Sequence, residues 1–257
     1  MDFSEQISRN TSPKDSFSVV ISTNGSHIKT RFNPTLALKK DSTYEVALMN
    51  LETYYSFPNI TKKNNVLVLE KNSTRKKEIL NIPIGVYELS EINTYIKKEL
   101  VRRGVTSKDT DVITFEPNVN TLKTLMGVAR DFSVIFDEAN SLNSVFGFNK
   151  DTYAGEGVDS KYESENLVNI MAINSILVQS NIISNSFVNG SNQPIIYAFF
   201  PNVAPGFKIV EKPQNLLYLP LINNNISIME TWLTDQNGDP IDLRGETLTI
   251  RLHIRER

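Results

Sequence analysis

From residue 246 to 256 the chain reads ETLTIRLHIRE, with Leu248, Ile250, Leu252 and Ile254 on one side of an extended backbone and Thr247, Thr249, Arg251, His253 and Arg255 on the other. A helix would repeat its apolar positions roughly every three or four residues, so a sustained period of two specifies a strand buried on one face. The four aliphatic residues are expected to fill a core. Arg251, His253 and Arg255 are left for solvent or for a neighbouring subunit. The same grammar of short β-branched and aromatic runs, broken by Asn, Gly, Pro and Lys, extends back through the chain. It is seen at 16–23, 43–53, 65–71, 77–83, 111–116, 122–129, 131–137, 167–182, 195–200, 207–212 and 226–234. Most of these runs are too short for helices, which predicts an all-β sandwich or barrel.

Two segments depart from that pattern. In ELSEINTYIKKELVRRG (88–104), Leu89, Ile92, Ile96 and Leu100 follow helical spacing, with acids at the start and Arg102, Arg103 and Gly104 at the end. In DEANSLNSVFGF, Ala139, Leu142 and Phe146 share one face of a short helix that Gly147 stops. Both are expected as covers on a sheet. Residues 1–16 are polar and aperiodic and read as a flexible arm, leaving 17–257 as one domain. The polar stretch 149–166 is expected to be an exposed loop.

With 257 residues, 40% of them hydrophobic, the chain can bury a sizeable core, and its net charge of -2 excludes a global field for nucleic acid or anionic membranes. It has no cysteine, which excludes disulfides, thiolate chemistry and Cys-ligated zinc. No stretch approaches the roughly 20 apolar residues of a membrane span, and the first residues lack the charge and apolar pattern of a secretory signal. The glycosylation-type triplets at Asn10, Asn24, Asn59, Asn72, Asn189 and Asn225 therefore follow from an Asn-, Ser- and Thr-rich composition.

Catalytic spacings are missing. GEGVDS lacks the third glycine of a dinucleotide loop, and no phosphate loop, nucleophile elbow or zinc helix occurs. The two histidines are His27, read as part of a loop beside NGS, and His253, on the polar face of its strand. Acids such as Glu45, Asp111, Asp137 and Glu230 meet the minimal requirement of a glycosidase only if the fold pairs them. The basic cluster TRKKE (74–78) lacks the interleaved aromatics of a single-strand platform and reads as a charged edge. Trp232, the only tryptophan, lies in an apolar run and is expected in the core or at a subunit interface, and Tyr218 is a second interface candidate. Asp235, Asn237, Asp239 and Glu246 partly imitate a calcium loop, but its sixth position is Pro240 instead of glycine. Asn237-Gly238 between two strands predicts a hairpin in its place. No cofactor or metal is expected.

The order of four segments carries a resemblance: YEVALMNLETYYSFPNI, then IPIGVYELSEINTYIKKEL, then FSVIFDEANSLNSVFGF, and finally YLPLINNNISIMETWLTDQNGDPIDLRGETLTIRLHIRER. Its most specific parts are Gly85 and Tyr87 before the helix, Gly147-Phe148 after the short one, and the terminal hairpin. Together these resemble the penton, or minor capsid, proteins of Polinton/Maverick elements, adintoviruses and related virophages. The resemblance covers about two thirds of the chain. It implies a single jelly-roll sandwich with one or two short covering helices, and long loops or an inserted subdomain around 149–215. It also implies a non-enzymatic virion protein that assembles with itself as homopentamers at the vertices of an icosahedral capsid. The implied partner is a double jelly-roll major capsid protein, with synthesis in the host cytoplasm or nucleus and no specific nucleic-acid contact. The competing reading is a receptor- or glycan-binding β-module of fibre-head type. Arg251, His253, Arg255, Trp232 and Tyr218 are the subunit-interface candidates.

Overall fold

Three long strands open the chain in the computed structural model, which describes residues 15–155, 160–170, 173–184, 186–188 and 190–257. They are β1 (Ser16–Asn24), β2 (His27–Ala37) and β3 (Tyr44–Tyr54). Next come β4 (Val66–Lys71), β5 (Lys76–Asn81), α1 (Leu89–Arg102), β6 (Ile113–Asn118), β7 (Lys123–Val128), β8 (Phe132–Ile135), α2 (Asn143–Phe146), β9 (Thr152–Ala154) and β10 (Ser160–Glu163). The remainder is β11 (Ile176–Ser180), β12 (Ser186–Val188), β13 (Ser191–Gln193), β14 (Ile195–Phe199), β15 (Lys208–Glu211), β16 (Leu219–Pro220), β17 (Asn225–Thr234) and β18 (Thr247–Glu256). The chain divides into two compact units: Met1–Ser56 with Ile173–Arg257, and Phe57–Ala172.

In the first unit, pairing runs from the outside of the sequence inward. The strand β1 pairs with β18, β2 with β17, β3 with β15 and β16, and β11 with β14, all antiparallel. A ribbon paired in this nested way and folded over itself gives two sheets, here β1-β18-β3-β15 and β14-β11-β17-β2. That is the strand order of a jelly roll. The alternation seen in the sequence supplies its core. Leu248, Ile250, Leu252 and Ile254 are all fully buried, as are Val46 and Leu51 on β3, and Val178, Met229 and Leu233 of the second sheet. Thr53 is 2% exposed and its Oγ1 has no hydrogen-bond partner, so the hydroxyl carries a desolvation cost with no return. Thr53→Val is expected to stabilise the protein by about 1–2 kcal/mol, read as a higher urea midpoint at unchanged slope; a lower midpoint would refute it.

The second unit has its own core around Leu67, Leu80, Phe115, Phe136, Phe146 and Phe148. Two sheets build it, β5-β4-β8-β9 and β10-β7-β6. The helix α1 buries Ile92, Ile96 and Leu100, as its spacing requires, and Glu91 accepts a hydrogen bond from the Glu88 backbone N–H at its start. It also closes strand edges. Asn93 bonds both backbone groups of Phe115 on β6 (2.7 and 2.9 Å), and Arg103 donates to the Ile79 carbonyl on β5. The short α2 ends at Gly147, whose φ of 81° is left-handed and whose added Cβ would lie 2.3 Å from the Asn166 carbonyl oxygen. Asn59 is structural: its amide donates to the carbonyls of Tyr87 and Ile170 and accepts from the Tyr87 N–H. That clamp fixes the Gly85–Tyr87 turn before α1.

Several expectations are revised. The unit that interrupts the jelly-roll strands in the sequence spans Phe57–Ala172, in place of the insertion expected around 149–215. Residues 149–166 are not an exposed loop where described. They contribute β9 and β10, and Tyr153 is 8% exposed because its ring packs edge-on against Phe136 and Phe148. Burial, together with Glu165 at 2.8 Å, pushes the Tyr153 hydroxyl up. Ala139 is exposed, and Val145 takes its place beside Leu142 and Phe146. Of the expected arm, residues 1–14 lie outside the described residues, and Ser16 already belongs to β1. Residues 156–159 of GEGVDS also lie outside them.

Candidate functional site

Because β18 lies between β1 and β3, every second residue of these three strands faces away from the core of the first unit. Tyr218, just before β16, joins that face. Its hydroxyl and His253 Nδ1 are 2.6 Å apart, and His253 Nε2 lies 2.6 Å from Ser16 Oγ. A neutral imidazole donates from one nitrogen and accepts at the other, so two hydroxyls satisfy it in either tautomer. Arg255 lays its guanidinium 3.5 Å from the centre of the Tyr218 ring and donates from Nε to Glu45 Oε1 at 2.6 Å. Arg255 and Glu45 are opposite one another in the β18–β3 register.

Tyr218, His253 and Arg255 are therefore brought into one cluster, and Arg251 is exposed on the same face. His253 is half-buried and bonded at both nitrogens. Trp232 is elsewhere: it lies half-buried on the outward face of β17 in the other sheet, edge-on to His27 at 6.1 Å. His27 is not in a loop. It opens β2, opposite Trp232, and sits 3.5 Å from Glu230. The Lys29 ammonium at 2.6 Å holds the Glu230 carboxyl below the usual carboxylate range, against partial desolvation. The sequence carries no sign of Ser16 and Glu45 as the partners of His253 and Arg255, because strand register is set by long-range pairing.

The arrangement is a set of side chains that satisfy one another within the sheet face. Tyr218 stands where a nucleophilic triad has its carboxylate, so Ser16 and His253 lack the charge that would stabilise an imidazolium. Among the described residues no group of three His, Cys, Asp or Glu could hold a metal ion. Asp235 is occupied in its own turn: one carboxylate oxygen accepts the N–H groups of Asn237 and Asp239 at 2.8 and 2.9 Å. Gly238 adopts a φ of 87° there. The expected hairpin is only a stub. Thr234 bridges Pro240 and Ile241 N–H reaches the Leu233 carbonyl, after which the chain crosses from one sheet to the other. The basic cluster 74–78 forms a turn and the edge strand β5, where Arg75 pairs with Glu70 and Lys76 with Glu78.

In the second unit, Arg102 and Arg103 hold the Glu99 carboxyl down at about 2. The stability from this pairing is complete above the ordinary glutamate value of about 4.3 and is lost as pH falls toward the depressed value. Glu99→Gln is expected to flatten the acid-induced loss of α1 protection in this window, read by hydrogen exchange at Leu100 and Val101. An unchanged acid profile would contradict the assignment.

No protein-family model and no curated protein matches the chain. Among solved structures, the mavirus penton protein matches 95% of this chain and 100% of its own, at a TM-score of 0.51 and 11% identity. The chain has the fold of the mavirus penton protein. A chain of the Sputnik virophage also matches, covering 93% of this chain and 97% of its own at 14% identity, with a TM-score of 0.43. No helix among the described residues is long and apolar enough to cross a membrane.

Proposed function

We propose that the protein is a penton subunit that assembles as homopentamers at the vertices of an icosahedral capsid, beside a double jelly-roll major capsid protein. The observation that carries this reading is the likeness to the mavirus penton protein along both chains, which takes in the Phe57–Ala172 unit as well as the jelly roll. A role in the virion, built by association, also suits a sheet face on which Ser16, Tyr218, His253, Arg255 and Glu45 are paired to one another. Arg251, His253, Arg255 and Tyr218 on that face, with Trp232 on the other sheet, are the proposed subunit contacts.

Mass measurement by sedimentation, with negative-stain imaging of the purified chain, tests the proposal. Five-membered rings are the expected result. A species that stays monomeric at high concentration, with or without the major capsid partner, would overturn it.

A further inference from the structure

Among the described residues, the outer edge of β1 is free and differs from the edges of β2, β5 and β6. It spans nine residues, SFSVVISTN, with no charge and no proline, and its register with β18 is unbroken from Ser16 to Asn24. Soluble proteins usually blunt such an edge with lysine, proline, a bulge or a covering element. The edges of β2, β5 and β6 show these devices. Strand β2 carries Lys29, Arg31 and Pro34 and has a register shift against β17. Strand β5 has Lys76 and Lys77, and Arg103 bonds its Ile79 carbonyl. The Asn93 amide occupies β6.

Parity shows what β1 offers. Glu256 N–H bonds the Asp15 carbonyl and Gly25 N–H bonds the Glu246 carbonyl, so the odd-numbered residues are the ones hydrogen-bonded to β18. The backbone groups of Ser16, Ser18, Val20, Ser22 and Asn24 then point to the free edge. These five residues are all exposed, and among the described residues no backbone hydrogen bond reaches them from that side. Val20, at 54% exposed, is the apolar centre of the strand. The pattern is nearly palindromic about it: turned end for end, Val20 meets Val20, Ser18 meets Ser22, and Ser16 meets Asn24.

We infer that β1 pairs antiparallel with β1 of a second copy about a two-fold axis through Val20, continuing the outer sheet across both chains. The pairing forms about ten backbone hydrogen bonds and brings two exposed valines together. Larger or charged side chains would disturb this, whereas serines flank the valine on both sides. The inference goes beyond the vertex reading and does not depend on it.

The cysteine-free chain permits a direct test by oxidative cross-linking of the full-length protein. Opposed Val20 residues in a hydrogen-bonded pair lie about 5.5 Å apart between Cα atoms, within the roughly 4.4–6.8 Å that a disulfide needs. The two Ser22 residues, offset by four positions in this register, lie about 14 Å apart, which a disulfide cannot span. Val20→Cys is expected to give a disulfide-linked dimer, and Ser22→Cys none. Ser22→Cys mixed with Ser18→Cys should give a heterodimer. Val20→Lys, which keeps the fold because the position faces solvent, should abolish the dimer in sedimentation. Equal cross-linking of Val20→Cys and Ser22→Cys, or none by Val20→Cys at high concentration, overturns the inference. Five-membered rings without the Val20→Cys dimer would sink this inference and leave the vertex reading standing. The dimer without rings would do the reverse.

Discussion

Replacing Phe146 by alanine is expected to destabilise the Phe57–Ala172 unit by about 3–5 kcal/mol. Phe146 is fully buried on the short helix α2 and stacks on Phe115, with ring centroids 3.8 Å apart and planes 10° from parallel. Its removal leaves a cavity lined by the second core, and the left-handed Gly147 just after it limits how far the backbone can collapse inward. The effect is read by hydrogen exchange of amides in β6 and β7, because the single tryptophan, Trp232, belongs to the other unit. A loss below about 1 kcal/mol would mean that α2 is not part of the core.

A comparable loss, about 2–5 kcal/mol, is expected for Leu252→Ala in the jelly roll. Leu252 is fully buried between β1 and β3, opposite Val19 on one side and Leu48 on the other. Arg251, one residue earlier, is exposed on the opposite face, and its replacement by alanine should change stability by no more than about 0.5 kcal/mol. Trp232 fluorescence during urea unfolding reports both variants from the same unit. Similar losses in the two would mean that the faces of β18 have been assigned the wrong way round.

The elements that were legible share a cause. The strand β18 and helix α1 are amphipathic over many residues, so hydrophobic period alone determines which side is buried: Leu248 to Ile254 in one, Ile92, Ile96 and Leu100 in the other. The β2 strand escaped because its outward residues are polar or charged, Pro34 interrupts it, and its pairing with β17 shifts register. Residues 149–166 are polar in composition, yet Tyr153 finds an aromatic cage built by Phe136 and Phe148. The Asn237-Gly238 turn was legible as a turn. Its flanking strands do not pair with one another, because consecutive strands at this point of a folded ribbon belong to different sheets.

Sequence alone determined that this chain is mainly β, that it lacks cysteine chemistry, where its long helix runs, and which side of β18 is core. Each follows from composition or from a local period. Only the tertiary structure decided the nesting of β1 with β18 and β2 with β17, the two compact units, and the meeting of Ser16, Tyr218, His253, Arg255 and Glu45. These depend on register between segments far apart in the chain. Many pairings satisfy the same alternation, and packing of the whole core selects one of them.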